Sequence, residues 1–404
     1  MRVAIVGAGI GGLTLAQGLK RAGIDAAVYE RDAALDSRGQ GYRIHLHAGT
    51  ALHSCLPPDL YELCVATAGR PSTQLSVMTN HLKPLRRTET TAVRDPLDPA
   101  ALSTSVNRQT FREILAARLE DDRAIGFGHT CVGFSQTDDS VEVHFANGAA
   151  TTADVLVAAD GVGSAIRRRY LPQLRVEATG SLCIYGRTPI TDETRPLIPA
   201  DTWKGFTAII GGHVGMATGV LDFREPPAEA ARRIAPDVRL TPAQPYFMWA
   251  LTASAERFAG PVENRDAAGL HATAQATIRR WHPDLRGLVA HATVPETTLV
   301  PIRSALPTPT PSWPSTRVTL LGDAVHAMSP ARGSGANTAL RDAALLTSEL
   351  RAAAQGGKAL TQAIADYERQ MVDYGFEAVR ASRDAERSAG GVRNPLVRLL
   401  LGIR

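Results

Sequence analysis

The 404 residues carry 44 basic and 40 acidic side chains, a net charge of +4, and 44% hydrophobic residues. A chain of this length buries a large core without staples and divides into two or three domains, or one α/β unit with an inserted part. Its mixed charge lacks the basic block of a nucleic-acid surface, no apolar run is long enough to span a bilayer, and Cys55, Cys64, Cys131 and Cys183 lack metal or redox spacing and read as buried thiols.

The chain opens VAIVGAGIGGLTLAQGL, residues 3–19. A basic start before an apolar run fits a secretory signal, but the glycines do not, and no cleavage site precedes Lys20-Arg21. Gly7, Gly9 and Gly12 are spaced G-x-G-x-x-G between an expected strand, Val3 to Val6, and an expected helix, Leu13 to Arg21. Such glycines make a tight turn, admit a pyrophosphate against the backbone, and let helix pack on sheet. Anionic phosphate then sits at the helix N-terminus, where free N–H groups and the dipole favour it. A second strand, Ala26 to Glu30, ends on a carboxylate eighteen residues past Gly12, the spacing of an acid that binds a ribose hydroxyl. Glu30 and its neighbour Arg31 are therefore candidate nucleotide contacts, and the protein is expected in the cytoplasm.

Gly39 and Gly41 mark a loop into a strand at Tyr42 to Leu46, and 50–68 is helical, interrupted at Pro57-Pro58. Segments 73–79 and 85–93 form a β pair. A helix runs from Asn107 to about Glu120, with Phe111, Ile114, Leu115 and Leu119 at helical spacing. Thr130 to Ser135 and Val141 to Phe145 form a hairpin, Asn147-Gly148 turns again, and the strand Val155 to Ala159 follows. From 173 to 300 strands dominate (182–185, 206–210, 214–220, 247–251), interrupted by one helical stretch at 266–281. The proline-rich 307–314 leads into the strand Val318 to Leu321, helices fill 336–389, and 391–404 forms a short amphipathic helix.

Two further motifs follow strands: Asp160-Gly161-Val162-Gly163-Ser164-Ala165-Ile166-Arg167, and the run from Gly322 to Asn337, GDAVHAMSPARGSGAN. Here the sequence resembles the class A FAD-dependent aromatic hydroxylases, the p-hydroxybenzoate hydroxylase-like family, over nearly its whole length. Its D-G-x-x-S-x-x-R motif is met by Asp160, Gly161, Ser164 and Arg167. Its G-D-A-x-H-x-x-x-P-x-x-G-x-G-x-N motif is met by Gly322, Asp323, Ala324, His326, Pro330, Gly333, Gly335 and Asn337. Ser334 stands where many members have glutamine.

The resemblance implies an α/β fold: a Rossmann-like (GR2-type) FAD-binding domain from 1–72, 106–172 and 301–390, a β-sheet substrate domain from 73–105 and 173–300, and the C-terminal helix 391–404. It implies that FAD is held by Gly7, Gly9, Gly12, Glu30, Arg31, Arg108, Asp160, Asp323, Pro330, Gly333, Gly335, Ala336 and Asn337. His326 is structural rather than a base. Arg38 sits where tetracycline-inactivating members place an arginine that helps accept NADPH, and His45 where they have an aspartate near the flavin. NAD(P)H, with NADPH favoured, would reduce FAD, and dioxygen would add at C4a to give a hydroperoxide whose distal oxygen passes to an aromatic or polyketide-like substrate. No side chain is required as acid or base; Pro330 and Arg43 are the candidates for the reacting face. Candidate substrate walls are His45, His47, Phe206, Met216, Phe247 and Trp249. No metal, nucleic acid or stable membrane association is expected, and the protein is a monomer or homodimer. A reductase that never activates oxygen and a non-catalytic flavoprotein that shields a reactive metabolite stay open. A halogenase does not fit, since none of Trp203, Trp249, Trp281 and Trp313 sits in a W-x-W-x-I-P stretch.

Overall fold

The computed structural model describes residues 1–35, 42–89, 95–120, 124–260, 262–308 and 310–391. Arg38, Gly39, Gly41 and the tail from 392 lie outside the described residues.

Near-continuous apolar runs at VAIV, VLVA and VTL predict strands covered on both faces, and they form a parallel five-stranded sheet. Its order is Val318–Leu320, Val155–Ala158, Arg2–Val6, Asp25–Tyr29 and Ile125–Gly126. The three motifs leave the carboxyl ends of its first three strands, so they converge on one edge, where open α/β sheets bind ligands. Helix Ile10–Arg21 packs on helix Gly335–Ala354 through small residues; a Cβ at Gly18 would come within 2.5 Å of Thr347 Oγ1.

A seven-stranded sheet forms the second layer, in the order Thr298–Ala305, Val176–Pro189, Tyr246–Ser254, Val214–Leu221, Gly205–Gly211, Gln74–Thr79, Pro84–Glu89. One face is covered by helices Ala267–Thr277 and Pro283–Ala290 over a core of Ile184, Ile209, Met216, Trp249 and Leu251. The expected single helix at 266–281 is thus two: Ile278 ends the first, and Pro283 starts the second behind His282, whose Nδ1 accepts from the Asp284 N–H at 3.3 Å. Helices Ala200–Lys204 and Pro227–Ile234 add to what the strand-dominated reading of this region foresaw.

An antiparallel ribbon, Arg43–Leu46 with Thr104–Asn107, lies between the two bodies. Helix Arg108–Ala116 begins where the Asn107 side chain accepts from the N–H groups of Gln109 and Thr110 at 2.9 and 3.1 Å. It stops short of the expected Glu120. Gln17 takes the carbonyls of Leu115 and Ala117 at 2.8 and 2.9 Å, and Arg118 turns to φ 64° with its guanidinium on Asp59 and Asp237, 2.6 Å each. The C-terminal helix Leu360–Gly391 packs beside the turn Pro330–Arg332. No helix among the described residues is long and apolar enough to cross a membrane.

Candidate active site

The glycines of the first motif do three different things. Gly7 has φ +112°, and a Cβ there would strike the Ala159 carbonyl oxygen at 2.4 Å, so first and second motifs touch. Gly12 packs the helix on the turn; its Cβ would lie 2.1 Å from Gly7 O. Gly9, the N-cap of helix Ile10–Arg21, faces open space, and nothing lies within 4 Å of the Cβ it lacks. That vacancy borders the helix N-terminus, where unpaired N–H groups favour an anion.

Glu30 is buried, with one carboxylate oxygen accepting from Ala8 N–H at 2.7 Å and the other from Asp32 N–H at 3.0 Å. Each oxygen keeps a second lone pair that a ribose hydroxyl can use. Arg31 is exposed. Sequence reasoning passed over Arg112, which is buried; its Nη2 and Nε donate to Ala8 O at 3.0 and 3.2 Å and its Nη1 to Leu35 O at 2.9 Å. It clamps the Gly7–Gly12 turn to the loop after Glu30. The one available signal was an arginine among Phe111, Ile114 and Leu115 on a helix otherwise apolar on that face.

The second motif is bound to the third. Ser164 caps helix Ala165–Tyr170, and Asp160 Oδ2 accepts from Ala165 N–H at 2.8 Å. Burial raises the Asp160 carboxyl against the Ser164 hydrogen bond, and its Oδ1 is buried without a partner. Arg167 is buried and reaches Ala324 O and Val162 O, 3.0 Å each.

In the third motif Asp323 lies deep in the body yet is open to solvent, so it floors a cleft. Burial among protein raises its carboxyl, partly offset by the charges of His326 and Arg108. Arg108 Nη1 is a buried donor without a partner, and its guanidinium lies 5.3 Å from the Tyr42 ring centroid. A Cβ on Gly335 would sit 3.8 Å from Asp323 Oδ1, so the carboxylate and the N-terminus of helix Gly335–Ala354 share this cleft. Gly333 is left-handed and exposed, Pro330 is exposed on its 3-10 turn, and Gly335 and Ala336 are half-buried.

Asn337 is a brace: its Oδ1 accepts from His47 and Ala48 N–H at 2.8 and 3.1 Å, and its Nδ2 donates to His45 O at 2.8 Å. His326 is wholly buried with Nε2 2.7 Å from Asp342 Oδ2, which also accepts from Gly322 N–H; Tyr374 donates to Asp342 Oδ1. Burial works against the imidazolium, but the Asp342 carboxylate prevails and raises His326. This network holds the turn of Gly322 from behind. His45 and His47 lie together, ring centroids 5.9 Å apart. Burial, then the charges of Arg43 and His47, push His45 down to about 4.

Three of the substrate-wall expectations require correction. Met216, Phe247 and Trp249 point into the sheet–helix core, Trp249 so tightly that a Cβ on Gly186 would lie 2.1 Å from its ring. Side chains alternate along a strand, so the partners one residue away, Met248, Tyr246, Tyr185 and Gly219, line the opposite face, turned to the ribbon. Phe206 is on that face too and half-buried. Among the described residues no cluster of His, Cys, Asp or Glu forms a metal site.

The "FAD binding domain" family model matches residues 1–382. The chain belongs to this family, that of the class A flavin monooxygenases. The dual O-methyltransferase/FAD-dependent monooxygenase CTB3 of Cercospora beticola is 34% identical over 96% of the chain, which spans only 46% of that relative's length. The FAD-dependent monooxygenase dbaB of Emericella nidulans is 31% identical, with 96% of each protein covered. Among solved structures, an FAD-containing protein of Photorhabdus luminescens superposes with a TM-score of 0.80 at 29% identity, covering 96% of this chain and 98% of the other. The family's cofactor fits what these residues present: the open space at Gly9, the unpartnered Arg108 donor, the carboxylate at the cleft floor, and a helix N-terminus beside it.

Proposed function

We propose that the chain is an FAD-dependent, NAD(P)H-consuming monooxygenase that places one oxygen atom from O2 on an aromatic or polyketide-like small molecule. The observation that carries this reading is the convergence of three motif strands on one sheet edge, with a buried Arg108 donor left without a partner and the Asp323 carboxylate open to solvent there. Held in this cleft, FAD would supply the redox chemistry that couples NAD(P)H oxidation to activation of dioxygen.

The chain's own residues bind and orient. The N–H groups after Gly9 take phosphate and Glu30 takes a ribose hydroxyl. Arg108 and Asp323 hold the cofactor's polar chain, Arg108 by charge and Asp323 by accepting from hydroxyls. The free N–H groups at Gly335 and Ala336 stabilise negative charge on the reduced ring. Phe206, Met248 and Tyr185, on the sheet face toward the ribbon, keep water from the substrate's carbon.

The test reconstitutes purified protein with FAD and screens hydroxylated naphthalenes and anthraquinones. Oxygen uptake, NADPH against NADH oxidation, and product mass are read together. A ligand that speeds NADPH oxidation and gains one oxygen supports the reading. Ligand reduction without oxygen uptake would turn it to a reductase, and ligand binding that never changes NADPH oxidation would turn it to a carrier.

A further inference from the structure

Several arginines placed deep in this fold are answered by acceptors: Arg112 and Arg167 by carbonyls, Arg187 by Glu296, Arg118 by Asp59 and Asp237. Among the described residues two arginines keep a buried donor without a partner: Arg108, at the cofactor cleft, and Arg43. The latter starts the ribbon strand Arg43–Leu46, and its side chain lies over Gly219 of the large sheet, where a Cβ would sit 3.1 Å from its Nε. That Nε is buried without a hydrogen-bond partner, and the charged or polar groups acting on it are the phenols of Tyr246 and Tyr185 rather than any carboxylate. The Tyr185 hydroxyl is also buried, beside the Arg43 backbone, and its proton has no acceptor. Asn107 Nδ2 lies 3.4 Å from the Tyr246 hydroxyl.

An unpaired guanidinium among donors is costly unless an anion joins it. The approach to it is positive as well. Arg43 lines a cavity with Arg70, Trp203, Lys204 and Asp222, whose carboxylate is already taken by Arg70 Nε at 3.1 Å. The ribbon ties Arg43 to the third motif: two residues along, His45 O accepts from Asn337 Nδ2 at 2.8 Å.

We infer that Arg43 receives an oxyanion of the substrate, a carboxylate or an ionised ring hydroxyl, with Tyr185 donating beside it. This rests on the monooxygenase reading above and adds to it the charge of the substrate and the residue that fixes its orientation.

The test titrates the FAD-loaded protein, followed by flavin absorbance, with four probes: 1-hydroxy-2-naphthoic acid, its methyl ester, 1-methoxy-2-naphthoic acid, and methyl 1-methoxy-2-naphthoate. A charged hydrogen bond to a buried site corresponds to about tenfold or more in Kd. The wild type therefore prefers an anion-bearing probe to the fully methylated one by at least about tenfold. Whichever single-group probe keeps the preference tells carboxylate from ring hydroxyl. Arg43→Gln abolishes the preference and Arg43→Lys retains part of it. Should Arg43→Gln fail to fold or hold FAD, Arg43→Lys decides, together with the pH dependence of wild-type affinity for the ester through that probe's own ionisation. Equal or absent binding of all four probes overturns the inference, as does an Arg43→Gln loss of the same size for neutral and acidic probes. Failure of the wild type to oxygenate any ligand while still preferring the anion sinks the monooxygenase reading and leaves this one standing.

Discussion

Arg167 Nη1 donates to the carbonyl oxygen of Ala324 at 3.0 Å, so the second motif grips the third one residue past Asp323. The same guanidinium holds Val162 O, and the residue is only 5% exposed. Arg167→Ala leaves two carbonyls without their charged donor, a loss of about 2–3 kcal/mol. FAD retained after desalting and the thermal midpoint both fall. Arg167→Lys recovers little, because one ammonium cannot span both acceptors as a planar fork does.

Gly9 and Gly12 separate binding from folding. At Gly12 an added methyl meets backbone oxygen at 2.1 Å, whereas at Gly9 it meets nothing and the backbone, φ −78°, suits any residue. Gly12→Ala lowers the midpoint of the apoprotein. Gly9→Ala leaves that midpoint within about 0.5 kcal/mol of wild type and weakens FAD, read by quenching of flavin fluorescence on binding. A Gly9→Ala protein with wild-type FAD affinity contradicts the phosphate site.

Asp323 sets stability against binding. Its carboxyl is raised by burial, so the folded state holds the proton more firmly than the unfolded chain does. Stability from this group is complete below the ordinary carboxylate range and declines as pH rises through the raised value. Asp323→Asn removes that decline. Its apoprotein melts above wild type at pH 7, the difference closes toward pH 4, and FAD occupancy drops at every pH.

His45 works in the opposite sense on the acid side. Its pKa falls from 6.5 to about 4 in the fold, so the unfolded chain takes the proton first. Stability present above pH 6.5 is lost as pH falls toward 4, on the order of 3 kcal/mol in all. In His45→Gln the apoprotein's midpoint loses this part of its pH dependence, measured by thermal melts between pH 7 and 4.

The sequence by itself determined the three motifs, the strands before them and the FAD-binding family, because these rest on local rules: apolar runs make strands, and the glycines Gly7 and Gly12 stand where no side chain fits. Most helices and hairpins were legible for the same reason, through period and punctuation. What only the tertiary structure decided concerns partners distant in the chain. Which face of the strand Tyr246–Ser254 meets the ribbon is a choice between two alternating sets. Trp249 and Phe247 belong to the helix side because helices Ala267–Thr277 and Pro283–Ala290 cover it. Arg112 clamps Ala8 across 104 residues, and Asn337 reaches His45 across 292. Arg43, in the same way, is set over Gly219 of another sheet, with its Nε buried and without a partner. A hydrogen bond or a buried charge is defined by what packing brings near, and no local spacing encodes that.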